Sequence, residues 1–327
     1  MAPRVDRLDE VQRRRPLLGF PLGVLYKFLD DQGNYLAAIV TYYAFIAVFP
    51  LLLIASSVLG FVLQGDETLR NEVLDSALAQ FPIVGTQLGR PEGLQGSTSA
   101  VVIGGLAALY GVLGLGQAGQ NAVNVVWAIP RNSRLNPLVS RLRSFLLLLL
   151  AGLTVLVIAV LSSIASHLDV LGSEANQEVR IVLGASAVLL NALVLGLMMR
   201  FATNERRGLR ETLPGAITVA VLWQVLQLVG GLYVGRVVAR ASQLNGVFAL
   251  VLGLIALIYI ASVMAVLGLE VNVVLAKRLY PRSLLTPFTD AVELTAADRR
   301  VYTENAQAQR HKGFERVDVS FDGDPAE

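Results

Sequence analysis

The chain has no cysteine among its 327 residues. Disulfides, thiolate metal sites and a cysteine nucleophile are therefore excluded, and the redox compartment stays open. Histidine occurs only at His167 and His311, one expected at an outer span end and the other in a polar tail, so the two cannot share a metal cluster. No H-E-x-x-H, G-x-S-x-G or Walker A pattern and no acid pair at ligand spacing is present, and these are what metal-dependent or nucleophilic chemistry requires. A nuclease built around metal ions needs several His or Asp ligands, which this chain does not supply. The reading is of a protein that is not an enzyme, with no metal and no cofactor. The GLGQAG run beginning at Gly114 resembles the start of a dinucleotide loop, but it sits inside an apolar helical stretch rather than after a strand. Charge is scarce as well. Charged residues make up 16% of the chain and the formal charge is +2, too little for a nucleic-acid footprint.

Apolar sequence fills the space that charge leaves. Hydrophobic residues reach 54% and mean hydropathy is +0.59, far from the soluble average. The fold expected is all-α: a polytopic membrane protein with six transmembrane helices. The spans fall at about 36–63, 101–127, 144–166, 179–199, 213–238 and 246–276, each long enough to cross a bilayer. Pro50 should kink the first span, and Pro214 sits in a Leu213-Pro214-Gly215 turn that opens the fifth. Residues 1–34 form a charged tail and a helix whose Leu18, Leu22, Leu25 and Leu29 recur at helical spacing. That helix lies in the membrane interface or simply packs on its neighbours. A short helix is expected over 67–81 in the first outer loop. Residues 281–327 read as a polar, largely disordered tail in which Thr295 and Asp298 cap a short helix. No cleaved signal peptide is expected.

Topology follows from the basic residues. With the N-terminus inside, 22 of the 27 Lys and Arg fall on the cytoplasmic side and 5 outside. Both termini are thus expected in the cytoplasm, which requires an even number of spans.

The second span carries the densest chemistry. Gln117, Gln120, Asn121 and Asn124 are spaced i, i+3, i+4 and i+7 within a 27-residue stretch, Val101 to Trp127, that holds no formal charge. On a helix they form one polar stripe, which in a bilayer must face protein or trapped water. Glycines along the same helix should let neighbours approach closely, and the helix reads as central. Glu270 is the one acid within any span. At about 1.5 Å per residue, the stripe, Glu270, Tyr42, Tyr43 and Arg200 all fall in the cytoplasmic half. Two readings remain open for them: a polar cavity open to the cytoplasm, or hydrogen-bonded glue between helices with Glu270 in a structural bridge to Arg200. Trp127 and Tyr280 read as interface anchors.

The chain resembles the YihY/BrkB family of bacterial inner-membrane proteins, once labelled ribonuclease BN. The resemblance is carried by TYYAFIAVFPLLLIASSVLG at 41–60, YGVLGLGQAGQNAVNVVWAIPR at 110–131, LPGAITVAVLW at 213–223 and YIASVMAVLGLEVNVVLA at 259–276. It implies six spans in the bacterial cytoplasmic membrane. One branch of the family is linked to lipopolysaccharide-related export, which implies a transporter or flippase-like protein for a lipid or other amphiphile. Membrane lipids are then the expected partners, with homo-oligomerisation left open and no nucleic acid. A non-enzymatic scaffold that recruits partners through the tail is the alternative, and the ribonuclease label is disfavoured.

Overall fold

A computed structural model describes residues 3–62, 98–150 apart from 137, 152, 177–203, 207–237 and 246–321 apart from 291. Among these residues the structure is helical, without strands. Its helices are α1 (Pro3–Arg14), α2 (Pro16–Asp30), α3 (Gly33–Val62), α4 (Thr98–Val126), α5 (138–150), α6 (Gln177–Ala202), α7 (Leu209–Val237), α8 (Gly246–Lys277) and α9 (Ala296–Gln307). The helix expected over 67–81 and most of the third span lie outside the described residues. Two helices, Leu209–Val229 and Val251–Lys277, are long and apolar enough to cross a membrane, and the apolar helices Gly33–Val48 and Val188–Ala202 are shorter.

The helices pack side by side in the order α4, α3, α8, α7, α6, and α4 touches α6 again. The hub is α8, which meets α2, α3, α4 and α7. The second span, α4, which the sequence places centrally, meets α3, α6 and α8 and also holds α5. The glycines of α4 serve close contacts on two sides: Gly111 lies on Ile46 and Ala47 of α3, Gly114 lies under the Tyr43 ring, and Gly116 lies on Ser144 of α5. A comparable approach joins α7 to α8, where Gly215 sits against the Gly268 carbonyl and donates its amide to Asn272 Oδ1 at 2.6 Å. Small residues bring helix backbones together in this way when lipid supplies no hydrophobic drive between them.

Pro50 lies within α3, whose helix continues through it to Val62. Pro214 lies within α7, which begins at Leu209. The LPG turn inferred from the sequence is therefore already helix, and the Pro214 carbonyl accepts the Thr218 hydroxyl at 2.9 Å.

The largest buried cluster sits at one end of the bundle. Val24 and Phe28 of α2, Leu36 and Ala37 of α3, Val123 and Val126 of α4, Val266 and Val273 of α8, and Val301 of α9 meet there. Two helices stop at this base in the same way. Ala128 after α4 and Arg278 after α8 both take φ 52, and the next amides, Ile129 and Leu279, bond back to the carbonyls of Asn124 (2.8 Å) and Val274 (3.0 Å). This is the helix stop in which a left-handed residue turns the chain and an apolar residue behind it packs inward. Ile129 and Leu279 are both buried.

The stop after α8 feeds a segment expected to lack order but described as far as residue 321. It lies across the base. Gln12 donates to the Arg282 carbonyl, Arg13 to Ser283 Oγ at 3.1 Å, and the Leu284 amide to Asp9 Oδ1 at 2.9 Å. α9 starts with a capping box: the Asp298 amide donates to Thr295 Oγ1 and the Thr295 amide to Asp298 Oδ2. Polar groups of this segment thus find partners at the base, several of them buried.

Candidate functional site

Three phenol rings gather on the joint face of α3 and α4. Tyr42 and Tyr43 meet edge to face with centroids 5.1 Å apart, and Tyr43 and Tyr110 lie 5.8 Å apart. The Tyr43 ring is half-buried because Gly114 leaves it room. Tyr42 and Tyr110 are 56% and 58% exposed. Gln117 is exposed too, seven residues beyond Tyr110 and so on the same side of α4. Tyr35, Ile39, Leu106 and Leu109 are exposed on the same two helices. The result is an outward apolar surface that carries phenol hydroxyls and one carboxamide.

The rest of the amide stripe turns the other way. Gln120 is buried and bound at both ends: its Nε2 donates to the Ser140 carbonyl (3.0 Å) and Ser144 Oγ (2.9 Å), and its Oε1 accepts from Ser140 Oγ (2.8 Å). It pins α5 onto α4. Asn121 Oδ1 accepts from Arg134 Nη1 at 3.4 Å, which ties the loop after α4 back to the helix. Asn124 is buried. One stripe in the sequence thus divides into an exposed Gln117, a Gln120 bonded to α5, an Asn121 bonded to the following loop and a buried Asn124.

Glu270 is fully buried. Among the described residues neither of its oxygens has a hydrogen-bond donor. The charges that act on it come from the end of α2: Lys27 first, then the Asp31 carboxylate beside it, and Asp30. Arg200, the bridge partner suggested by sequence, is exposed. Lys27 is itself fully buried and donates to Asp31 and to the Val126 carbonyl at 3.2 Å. Asp31 Oδ1 accepts from Asn305 of α9 at 3.3 Å. Burial pushes the Asp31 carboxyl above its ordinary range, against the pull of Lys27 and Asn305 in the other direction.

A second buried ion set adjoins the first through Asp30. Arg282, fully buried, donates Nε to Asp298 and Nη2 to Asp30 at 2.9 Å, and it lies over the Tyr302 ring at 5.6 Å. Trp127, placed at the membrane interface by the sequence, is buried instead at 2% exposure beneath the Arg207 guanidinium, 3.8 Å from the ring centroid. Tyr280 is half-buried and meets Phe20 edge-on at 5.6 Å. Neither ion set was found from the sequence. The available signal was Lys27 and Asp31 at i, i+4 in an otherwise apolar helix, a pair that a charge count credits to topology. Among the described residues no three His, Asp or Glu side chains are grouped as a metal site would require.

Residues 24–290 match the family described as Virulence factor BrkB. No curated protein and no solved structure matches the chain. The matched region spans most of the 327 residues and includes all the tyrosines and buried ions described above except Asp298, Tyr302 and Asn305 of α9. The chain belongs to the Virulence factor BrkB family, and its long apolar helices are those of a membrane protein.

Proposed function

We propose that this BrkB-family chain is a six-span protein of the bacterial cytoplasmic membrane, with both termini inside, that moves a lipid or similar amphiphile along the α3–α4 face. The carrying observation is the exposed surface on which Tyr42, Tyr110 and Gln117 sit among Ile39, Leu106 and Leu109. An amphiphile needs both kinds of contact, apolar surface for its chains and hydroxyl or amide groups for its head, and phenols supply both at low entropic cost. Polar side chains facing outward at membrane depth would otherwise be an expense without return. The topology draws support from the contacts of α1 with residues 282–284, which put the N-terminal helix and the tail at one end of the bundle, and from the excess of Lys and Arg on the same side.

The test is reconstitution into phospholipid vesicles carrying a headgroup-labelled lipid, with leaflet exchange followed by quenching of the outer label. Wild type should accelerate exchange over empty vesicles. A Tyr42→Ala, Tyr110→Ala, Gln117→Ala variant, whose substitutions all fall on exposed positions, should fold normally and lose at least tenfold of that acceleration. Exchange unchanged in the variant, or absent in the wild type, refutes the reading.

A further inference from the structure

We propose that Glu270 and Asp31 form a proton-binding site: a buried pair of carboxyl groups that holds one proton between them at neutral pH. Glu270 is fully buried with no donor on either oxygen, and the polar group it meets is another carboxyl, Asp31. Two ionised carboxylates have only acceptors to offer each other. A proton on one of them turns that contact into an O–H···O bond and removes the like-charge repulsion, as it does wherever two carboxyls share a dry site.

The surrounding charges do not supply an alternative. From α2, Lys27 is the one ammonium: it donates to Asp31 and to the Val126 carbonyl of α4, and it acts on Glu270 through space without a hydrogen bond to it. Asp30 on the same helix is closed by Arg282 from the tail, and Arg282 is shared with Asp298 of α9. On α8 itself, Lys277 pairs with Glu304 of α9 at 2.8 Å and donates to the Trp127 carbonyl. Asn305 of α9 contributes one neutral amide, to Asp31. Around Glu270 there remain two acids and one cation. One proton makes that group neutral, and an uncompensated charge in a dry interior is what folded proteins avoid. This site is distinct from the tyrosine face and does not depend on lipid being moved there.

Infrared spectroscopy of the full chain in lipid tests the assignment. At neutral pH the wild type should show the C=O stretch of a protonated carboxylic acid above the amide band, moved by carboxyl-13C labelling of glutamate or aspartate. Glu270→Gln keeps an N–H donor for Asp31 and should fold while losing the band. If that variant does not fold, Asp31→Asn offers Glu270 the same kind of donor and should also abolish it. Absence of an isotope-sensitive carboxylic acid band in the wild type, or its survival in a folded variant, overturns the proposal.

Discussion

Among the described glycines, Gly215→Ala should be the most damaging change of one methyl group. A Cβ at position 215 would overlap the Gly268 carbonyl oxygen and come within 2.6 Å of Asn272 Nδ2. The carbonyl is backbone of α8, so relief requires the two helices to separate. Overpacking of this kind costs about 1–3 kcal/mol, and here the rigid partner argues for the upper end. Separation also breaks the buried bond from the Gly215 amide to Asn272 Oδ1 at 2.6 Å, adding about 1–3 kcal/mol for groups left unsatisfied. Against this, alanine gains about 1 kcal/mol over glycine within a helix. The balance is a loss of about 3–5 kcal/mol, which at about 2–4 °C per kcal/mol lowers the melting point by about 6–20 °C. The natural control is Gly119→Ala on α4, whose added methyl meets nothing within 4 Å and which should leave stability unchanged or raise it by up to about 1 kcal/mol. The assay is thermal unfolding of both variants in one detergent, read by loss of the monodisperse chromatographic peak. If Gly215→Ala melts within about 2 °C of wild type, or if the two variants fall alike, the close approach of α7 and α8 is wrong.

Two further outcomes concern the base. Arg282→Ala strands Asp30 and Asp298 in a buried setting and should cost about 3–5 kcal/mol, as breaking a buried ion pair does; limited proteolysis should then cut between residues 283 and 321 in the variant and spare the wild type, and Arg282→Lys should not restore protection because one ammonium cannot span both acids in the guanidinium's fork. The Asp9 carboxyl is held below its ordinary value: burial raises it, but the Gln12 side chain, the Leu284 amide and Arg13 together outweigh burial. Its contribution is therefore present above about pH 3.8 and is lost as pH falls through its depressed value. Hydrogen exchange at the Leu284 amide, corrected for intrinsic rate, should accelerate in that acid window, and Asp9→Asn should remove the pH step.

The helical character, and the length of the apolar helices Leu209–Val229 and Val251–Lys277, were legible because they rest on long runs almost free of charge, which need no tertiary detail to be read. The cap of α9 was legible for the same local reason, since Thr295 and Asp298 answer one another within a single turn. The amide stripe was legible as a stripe but not in its division. Periodicity places Gln117 and Gln120 100° apart per step on one side of a helix, whereas the neighbour that claims Gln120 is Ser144, 24 residues away. Only the docking of α5 separates the exposed amide from the bonded one. Trp127 shows the same limit: an aromatic at the end of an apolar run suits a headgroup boundary, but its ring is buried beneath Arg207, which precedes α7. The acids were the hardest. Glu270 is acted on by Lys27 and Asp31, more than 230 positions earlier at the end of a helix too short to span, and sequence spacing carries no sign of that approach.

The tail after α8 explains why α2 can carry adjacent acids, Asp30 and Asp31, at its inward end. An α-helix turns 100° per residue, so neighbours cannot serve one partner. Asp30 turns to Arg282 and Asp31 to Lys27 and Asn305. The last turn of α2 is thereby held on one side by the segment after α8 and on the other by α9, while α2 itself packs on α8 and α3. Asp31 has its counter-charge in Lys27 of α2, whereas Asp30 takes its own from Arg282, so the grip on Asp30 waits for the segment after α8. Asn305 of α9 adds a neutral amide to Asp31. Removal of residues 279–327 should accordingly expose Asp30 and leave Lys27, Asp31 and Glu270 under a solvent-facing α2.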